Sequence, residues 1–366
     1  MKKALSILAV GIPLVALVAA ISVGFVFLRG ARANPLTSCT ATGFYRDSIN
    51  LTAAVIPTSG SPNVTGQVNA YGCNIGVYYG SGIKGTVTAQ IFGANYFGVV
   101  NNGSKVTITN SQIHDIGENP LNGDQHGVGI YFAYGTPSAG SITSDMIWNY
   151  QKGGIVVNGT SGIVPVTSNT VIGQGPVNYI AQNGIQIGYG AKATVTKNIV
   201  IGNSYTGAGQ AASGGIIVVG GSCYGGPLTI GTKITGNTVV GNDIGVWLSN
   251  LDGTSCIPTD TPTYIKANAN IITNDAVNNT TGAGTGGYQA GIADQGDYDT
   301  MNKNSICGLG YTYVTPPPYL YTIDITYTNN PTVTNNTSCL DGSPIVPPPS
   351  GSTLHFKPLG KTSGIR

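Results

Sequence analysis

The chain has 366 residues, of which 55 are Gly and 20 are Tyr, and only 8% are charged. Setting aside Lys2, Lys3, Arg29 and Arg32 near the N-terminus leaves 12 basic against 14 acidic residues, which excludes the basic footprint of a nucleic-acid-binding protein. Glu occurs once, at Glu118, while Val, Ile, Thr and Asn abound, so strands joined by turns are expected and helices are not.

The first segment is set apart. Lys2 and Lys3 precede an uncharged run from Ala4 to Leu28, broken only by Pro13, and Ala31-Arg32-Ala33 has the small-x-small form of a cleavage site. The run is longer than the apolar core of an ordinary signal peptide and long enough to span a bilayer. Residues 1–33 are therefore expected to be either a cleaved signal peptide or a retained anchor, and both place the remainder outside the cytoplasm. Membrane contact would come only through this segment, if it is kept. Residues 34–74, with Cys39 and Arg46, are expected to cap the N-terminal end and shield the first strand edge.

From residue 75 to 343 the chain repeats itself. Gln125-His126-Gly127-Val128 recurs as Gln151-Lys152-Gly153-Gly154-Ile155, Gln182-Asn183-Gly184-Ile185, Ser213-Gly214-Gly215-Ile216, Asp243-Ile244-Gly245-Val246 and Gln289-Ala290-Gly291-Ile292, at spacings of 26, 31, 31, 30 and 46. A second phrase places β-branched residues around an Asn, as at Asn110, Asn169, Asn198, Asn237 and Asn304. The apolar period is 2, so two short strands per repeat are expected. The Asn suits a turn and, stacked on its equivalents about 4.8 Å away, an inward amide ladder. A period in this range is the signature of a solenoid, whose single units cannot bury their Val and Ile alone.

The stretch Gly184-Ile185-Gln186-Ile187 followed by Val195-Thr196-Lys197-Asn198-Ile199-Val200 resembles the coil repeat of the pectate-lyase-like superfamily, over roughly residues 75–310. That resemblance implies an all-β fold, a single-stranded right-handed parallel β-helix. It does not by itself imply one function, because members of a fold carry unrelated sites.

Six Cys in an exported chain suggest disulfides. Pairing neighbours, Cys39 with Cys73, Cys223 with Cys256 and Cys307 with Cys339, gives separations near one repeat. A metal-ligand role is disfavoured because no CxxC occurs. The end, residues 344–366, carries Pro347-Pro348-Pro349 and is expected to be an extended or disordered tail.

Titratable groups concentrate between His114 and His126, with Asp115, Glu118 and Asp124 between them. Such a cluster can supply general acid and base groups. Aligning the first residues of the phrases sets Asp124 below Tyr150, His126 below Lys152, and Gln125 below Gln151 and Gln182. Catalytic candidates are then Asp124, His126, Tyr150, Lys152, His114 and Glu118. A uronate lyase or epimerase would need a base, here Lys152 or His126, and an acid, here Tyr150. The Arg base of pectate lyases and the paired Asp, Gly-His-Gly and Arg-Ile-Lys set of polygalacturonases are absent. Asp294, Asp297 and Asp299 around Gly296 offer oxygen ligands to Ca²⁺, the one cofactor suggested; a turn capped by its own Asp side chains is the alternative. Strand alternation points Gln186 and Trp247 outward beside Tyr131, and with Gln125, Gln151 and Gln182 these form a candidate sugar-binding face. The expected partner is thus a polysaccharide or cell-surface glycan. Three functions stay open: a carbohydrate-active enzyme with converging acid and base, a binding solenoid with an aromatic–amide strip, and a structural envelope protein with neither.

Overall fold

A computed structural model of the chain describes residues 38–348, apart from 210, 282–285 and 313–317. The expected signal or anchor segment, and the tail beyond residue 348, lie outside the described residues. All described residues belong to one unit, Thr37–Arg366. Among them are thirty strands and two single-turn 3-10 helices, Ser222–Tyr224 and Leu309–Tyr311, so the unit is all-β.

The strands pair in parallel with their equivalents one repeat away. Three strands, not two, make up each repeat. Val128–Phe132 pairs with Gly153–Asn158, which pairs with Asn183–Gly188. Ala139–Thr143 pairs with Ile163–Thr167, and Met146–Tyr150 with Thr170–Val177. The Asn, expected at a turn, does sit at one, with a separate strand on each side of it. These three strand columns, with every third strand in register, are compatible with a β-helix or solenoid. Of the strands before residue 75, only Thr40–Arg46 departs from the parallel order, pairing antiparallel with Ile49–Val55. Ile49–Val55 and Val64–Asn69 already pair in parallel with later strands.

Each column sends β-branched residues inward in every repeat, among them Ile130, Ile155 and Ile185 from the first, Ile142, Val166 and Val195 from the second, and Ile147, Val171 and Val200 from the third. All are fully buried in one continuous core. That burial, about 1.5–3 kcal/mol per side chain, accrues only when neighbouring repeats are stacked.

The turn between second and third columns is built from two residues. The first has positive φ: Asn110, Ser144, Ser168, Lys197, Gly236, Ala269, Lys303 and Asn335. The second points inward. Asn169, Asn198, Asn237, Asn270, Asn304 and Asn336 form the expected amide ladder; the side-chain oxygen of Asn198 accepts from the backbone N–H and Nδ2 of Asn169, both at 2.9 Å, and the pattern repeats upward. Asn110 is not on it. It occupies the exposed positive-φ position, and Ser111 holds the ladder position there, bonded to Asp145.

The Gly that truly repeats is set by crowding. Ile130 is level with Ile155, and Ile155 with Ile185, so Gly129, Gly154 and Gly184 form one column. A Cβ on Gly129 would lie 2.6 Å from both the Gly154 carbonyl oxygen and Ile147 Cγ2. Gly129→Ala is therefore expected to lose about 1–3 kcal/mol in chemical denaturation, the range for overpacking a close-packed interior. An unchanged midpoint would show that the column yields.

Three disulfides join Cys39 to Cys73, Cys223 to Cys256 and Cys307 to Cys339, with Cα separations of 5.5, 5.0 and 5.4 Å, as the neighbour pairing anticipated. They suggest an oxidising, extracellular environment. No helix among the described residues is long and apolar enough to cross a membrane.

Candidate functional site

The titratable cluster forms at the corner where the chain leaves the third column and enters the first. The strand Gln112–Ile116 delivers His114 and Asp115, residues 117–127 loop outward, and Val128–Phe132 follows. Positive φ at Asp115, Gly117 and Gly127 makes the departure and return.

What holds the loop is Gln151. Its Oε1 accepts the N–H groups of Glu118 and Asn122, each at 3.1 Å, and its Nε2 donates to Asp124 O at 2.8 Å. Gln182 likewise accepts from Gln174 N (2.9 Å) and donates to Tyr150 O (2.7 Å). Further along, Asp243 accepts from Tyr205 N and Ser213 N, and Gln289 from Asn278 N and Asn279 N. In these four phrases the polar residue is thus a buried clamp for the loop of the same corner. A loop folded over a strand leaves N–H groups that need acceptors, and this residue supplies them. Gln151 and Gln182, expected to meet sugar, are fully buried in this work.

The register differs from expectation by one residue in the first two repeats. Gly153 is level with Val128, so His126 is level with Gln151 and Lys152 with Gly127. Tyr150 is level with Ile116, not Asp124. Two glycines stand near the start of each of these phrases, and the first of them, Gly127 or Gly153, is not the one packing demands. Tyr150 and Lys152 consequently leave the cluster. The Tyr150 hydroxyl donates to Asn203 Oδ1 at 2.6 Å inside the core, where burial pushes its pKa far up. Lys152, 1% exposed, donates from Nζ to Ala181 O at 2.8 Å, and burial lowers its pKa to about 8.

Three expected residues do converge. His126 Nε2 lies 2.7 Å from Glu118 Oε1, and the ligand atoms of Glu118, Asp124 and His126 all fall within 4.8 Å of one another. Among the described residues no other three His, Cys, Asp or Glu side chains do so. The His126 ring stacks on Tyr96 at 3.9 Å between centroids, and Asn95 Nδ2 donates to Glu118 Oε1 at 3.1 Å. Asp124, exposed, accepts from Asn122 Nδ2 at 2.9 Å, while Gln125 donates to Gly123 O within its own loop. Burial, then the charges of Asp47, Glu118 and Asp124, raise the Tyr96 hydroxyl above its usual pKa, with Arg46 offsetting part. One imidazole and two carboxylates could hold a divalent cation or accept hydrogen bonds from hydroxyls.

His114 stands apart from this group. Its ring is stacked between Phe92 (5.3 Å) and Trp148 (4.3 Å), with Nδ1 on Asp115 Oδ2 at 2.9 Å and Nε2 3.1 Å from Gln90 Nε2. The stacked faces cover one another, so this column stabilises the third column's outer side.

The chain matches no protein-family model, no curated protein and no solved structure.

Tyr131, Gln186 and Trp247 do share one outward column, with Val156 and Ile217 between them. All three are nonetheless buried, 1–2% exposed, with Gln186 Nε2 on Asn158 Oδ1 and Trp247 Nε1 on Gln295 Oε1. The acidic knot is buried too. Asp294 accepts from Gly296 N and Thr328 Oγ1, Asp299 from Thr263 Oγ1 and Ile265 N, and Asp297 from Asn330 Nδ2. The carboxyls of Asp294 and Asp299 face each other; burial, then their mutual repulsion, raises Asp299, so the pair holds a proton. These three do not assemble into a convergent ligand set.

Asn95 and Tyr96 were not anticipated. The signal was present: Asn74-Ile75-Gly76-Val77 and Tyr96-Phe97-Gly98-Val99 are earlier copies of the phrase, level with one another. The first keeps the polar residue at the phrase's own spacing; in the second Tyr96 stands in its place, with Asn95 one position earlier.

Proposed function

We propose that this protein is an extracytoplasmic right-handed parallel β-helix of the pectate-lyase-like kind that binds polysaccharide at the Glu118–Asp124–His126 corner without cleaving it. The right hand follows from the near-universal handedness of crossovers between parallel strands. One observation carries the functional part: two carboxylates and an imidazole converge beside the Tyr96 ring, while the expected acid and base, Tyr150 and Lys152, turn into the interior. Carboxylates that accept pairs of hydrogen bonds suit sugar hydroxyls.

The ligand is a neutral glycan. Asp47, Glu118 and Asp124 act on Tyr96 against the single cation Arg46, and a uronate entering that field meets like charge. Pull-down with insoluble neutral glucans, mannans and xylans, and affinity electrophoresis with the soluble forms, test this. Wild type is expected to bind at least one neutral polymer, and Glu118→Gln with Asp124→Asn to bind it at least tenfold more weakly. No new reducing ends or unsaturated products are expected. Release of product, or binding confined to uronans, overturns the proposal.

A further inference from the structure

A second surface lies at the turn from the first to the second column. Tyr264 and Tyr298 are 54% and 49% exposed, and their ring centroids are 6.0 Å apart at 44°. Lys266 pairs with Thr300, so the two tyrosines stand level in successive repeats. Both have positive φ, 49° and 54°.

The turn explains that backbone but not the side chain. Gly231 is level with Tyr264, since Lys233 pairs with Lys266, and Asn330 is level with Tyr298, since Thr300 pairs with Thr332. These neighbours also have positive φ, 73° and 44°. Gly and Asn are the residues that conformation favours, whereas a bulky side chain there is strained. Space is no constraint at this turn, because a Cβ on Gly231 would meet nothing within 4 Å. Two adjacent repeats therefore carry a ring where the fold asks for none. No described residue hydrogen-bonds either phenol; Tyr298 N donates to Asn329 O at 3.2 Å, and exposed Asp260 accepts from Asn329 Nδ2 at 3.3 Å.

We propose that Tyr264 and Tyr298 form a second glycan-binding platform, on which the apolar faces of hexopyranose units pack while the phenols and Asp260 meet their hydroxyls. This rests on the polysaccharide-binding function proposed above. Two half-exposed rings among polar residues are too small an apolar patch for a stable protein interface, but match the mixed apolar and polar faces of a sugar.

Unlike the stacked Phe92–His114–Trp148 column, this pair keeps ring faces open. The test uses the full chain, its Tyr264→Gly/Tyr298→Gly variant and the Glu118→Gln/Asp124→Asn variant. Each is titrated with cellohexaose, mannohexaose and xylohexaose, with binding read by calorimetry and by tyrosine fluorescence. Gly suits the turn, so the pair variant is expected to melt at or above the wild-type temperature, yet to bind at least tenfold more weakly. The corner variant is expected to keep the tyrosine fluorescence response. If the pair variant binds as wild type does, or melts markedly lower, the rings are structural and the inference falls. Binding lost in the corner variant but kept in the pair variant leaves the corner standing and removes this platform. Silence of the wild type toward all three sugars overturns both.

Discussion

Asn237→Ala is expected to destabilise the protein by about 4 kcal/mol, measured by chemical denaturation with the disulfides intact. Asn237 is 1% exposed and sits mid-ladder. Its Oδ1 accepts from Asn198 N and Nδ2 at 2.9 and 3.0 Å, and its Nδ2 donates to Val195 O and Asn270 Oδ1 at 3.0 and 2.9 Å. Truncation strips partners from several buried groups at once, each worth roughly 1–3 kcal/mol when left unsatisfied. The same change at Asn110, exposed at the turn, is expected to cost less than about 1 kcal/mol. Equal effects at the two positions would show that the ladder does not hold the repeats in register.

Asp145→Asn is expected to stabilise the protein near pH 8 and to do far less near pH 4. Asp145 occupies a ladder position: its Oδ1 accepts from Ser111 N at 2.8 Å, and its own N–H donates to Asn169 Oδ1 at 3.0 Å. Where each Asn carries a donating Nδ2, as Asn169 does toward Ile142 O, Asp145 Oδ2 is buried without a partner. Burial is the main cause that raises its pKa to about 7, against about 3.9 in an unfolded chain. The folded state therefore binds the proton more tightly. Its contribution to stability is complete below about pH 4, falls as pH rises toward 7, and is gone above that. At about 1.4 kcal/mol per pH unit, the upper bound across the window is about 4 kcal/mol. Asn supplies the missing donor and does not titrate, so the variant's stability should fall less between pH 4 and 7. The Asp294–Asp299 pair adds a change of the same sign at higher pH in both proteins. Parallel pH profiles for wild type and variant would refute the assignment.

How far the sequence could be read differs between fold and site. The alternation of Val, Ile and Thr around Asn198 and Asn237 specified strands, turns and the inward ladder, because period and turn chemistry are local properties. The neighbour pairing of cysteines followed from the same period. The count of strands per repeat did not, since one Asn phrase looks alike whether it lies within a strand or between two.

The site was legible only as a concentration of charge. Glu118, Asp124 and His126 do meet, but Tyr150 and Lys152 were drawn in by an alignment that chose Gly127 and Gly153 over Gly129 and Gly154. That choice is worth one residue of register, and in a strand one residue exchanges the two faces. Only contact with Ile147 and the next carbonyl shows which Gly the packing requires.

By itself, then, the sequence determined an all-β repeat with an inward Asn ladder, three disulfides and a titratable corner near its N-terminal end. The tertiary structure alone decided that Gln151, Gln182, Asp243 and Gln289 clamp loops rather than meeting a ligand. Buried N–H groups must find acceptors, and which loop will need one is known only once that loop has folded over its strand.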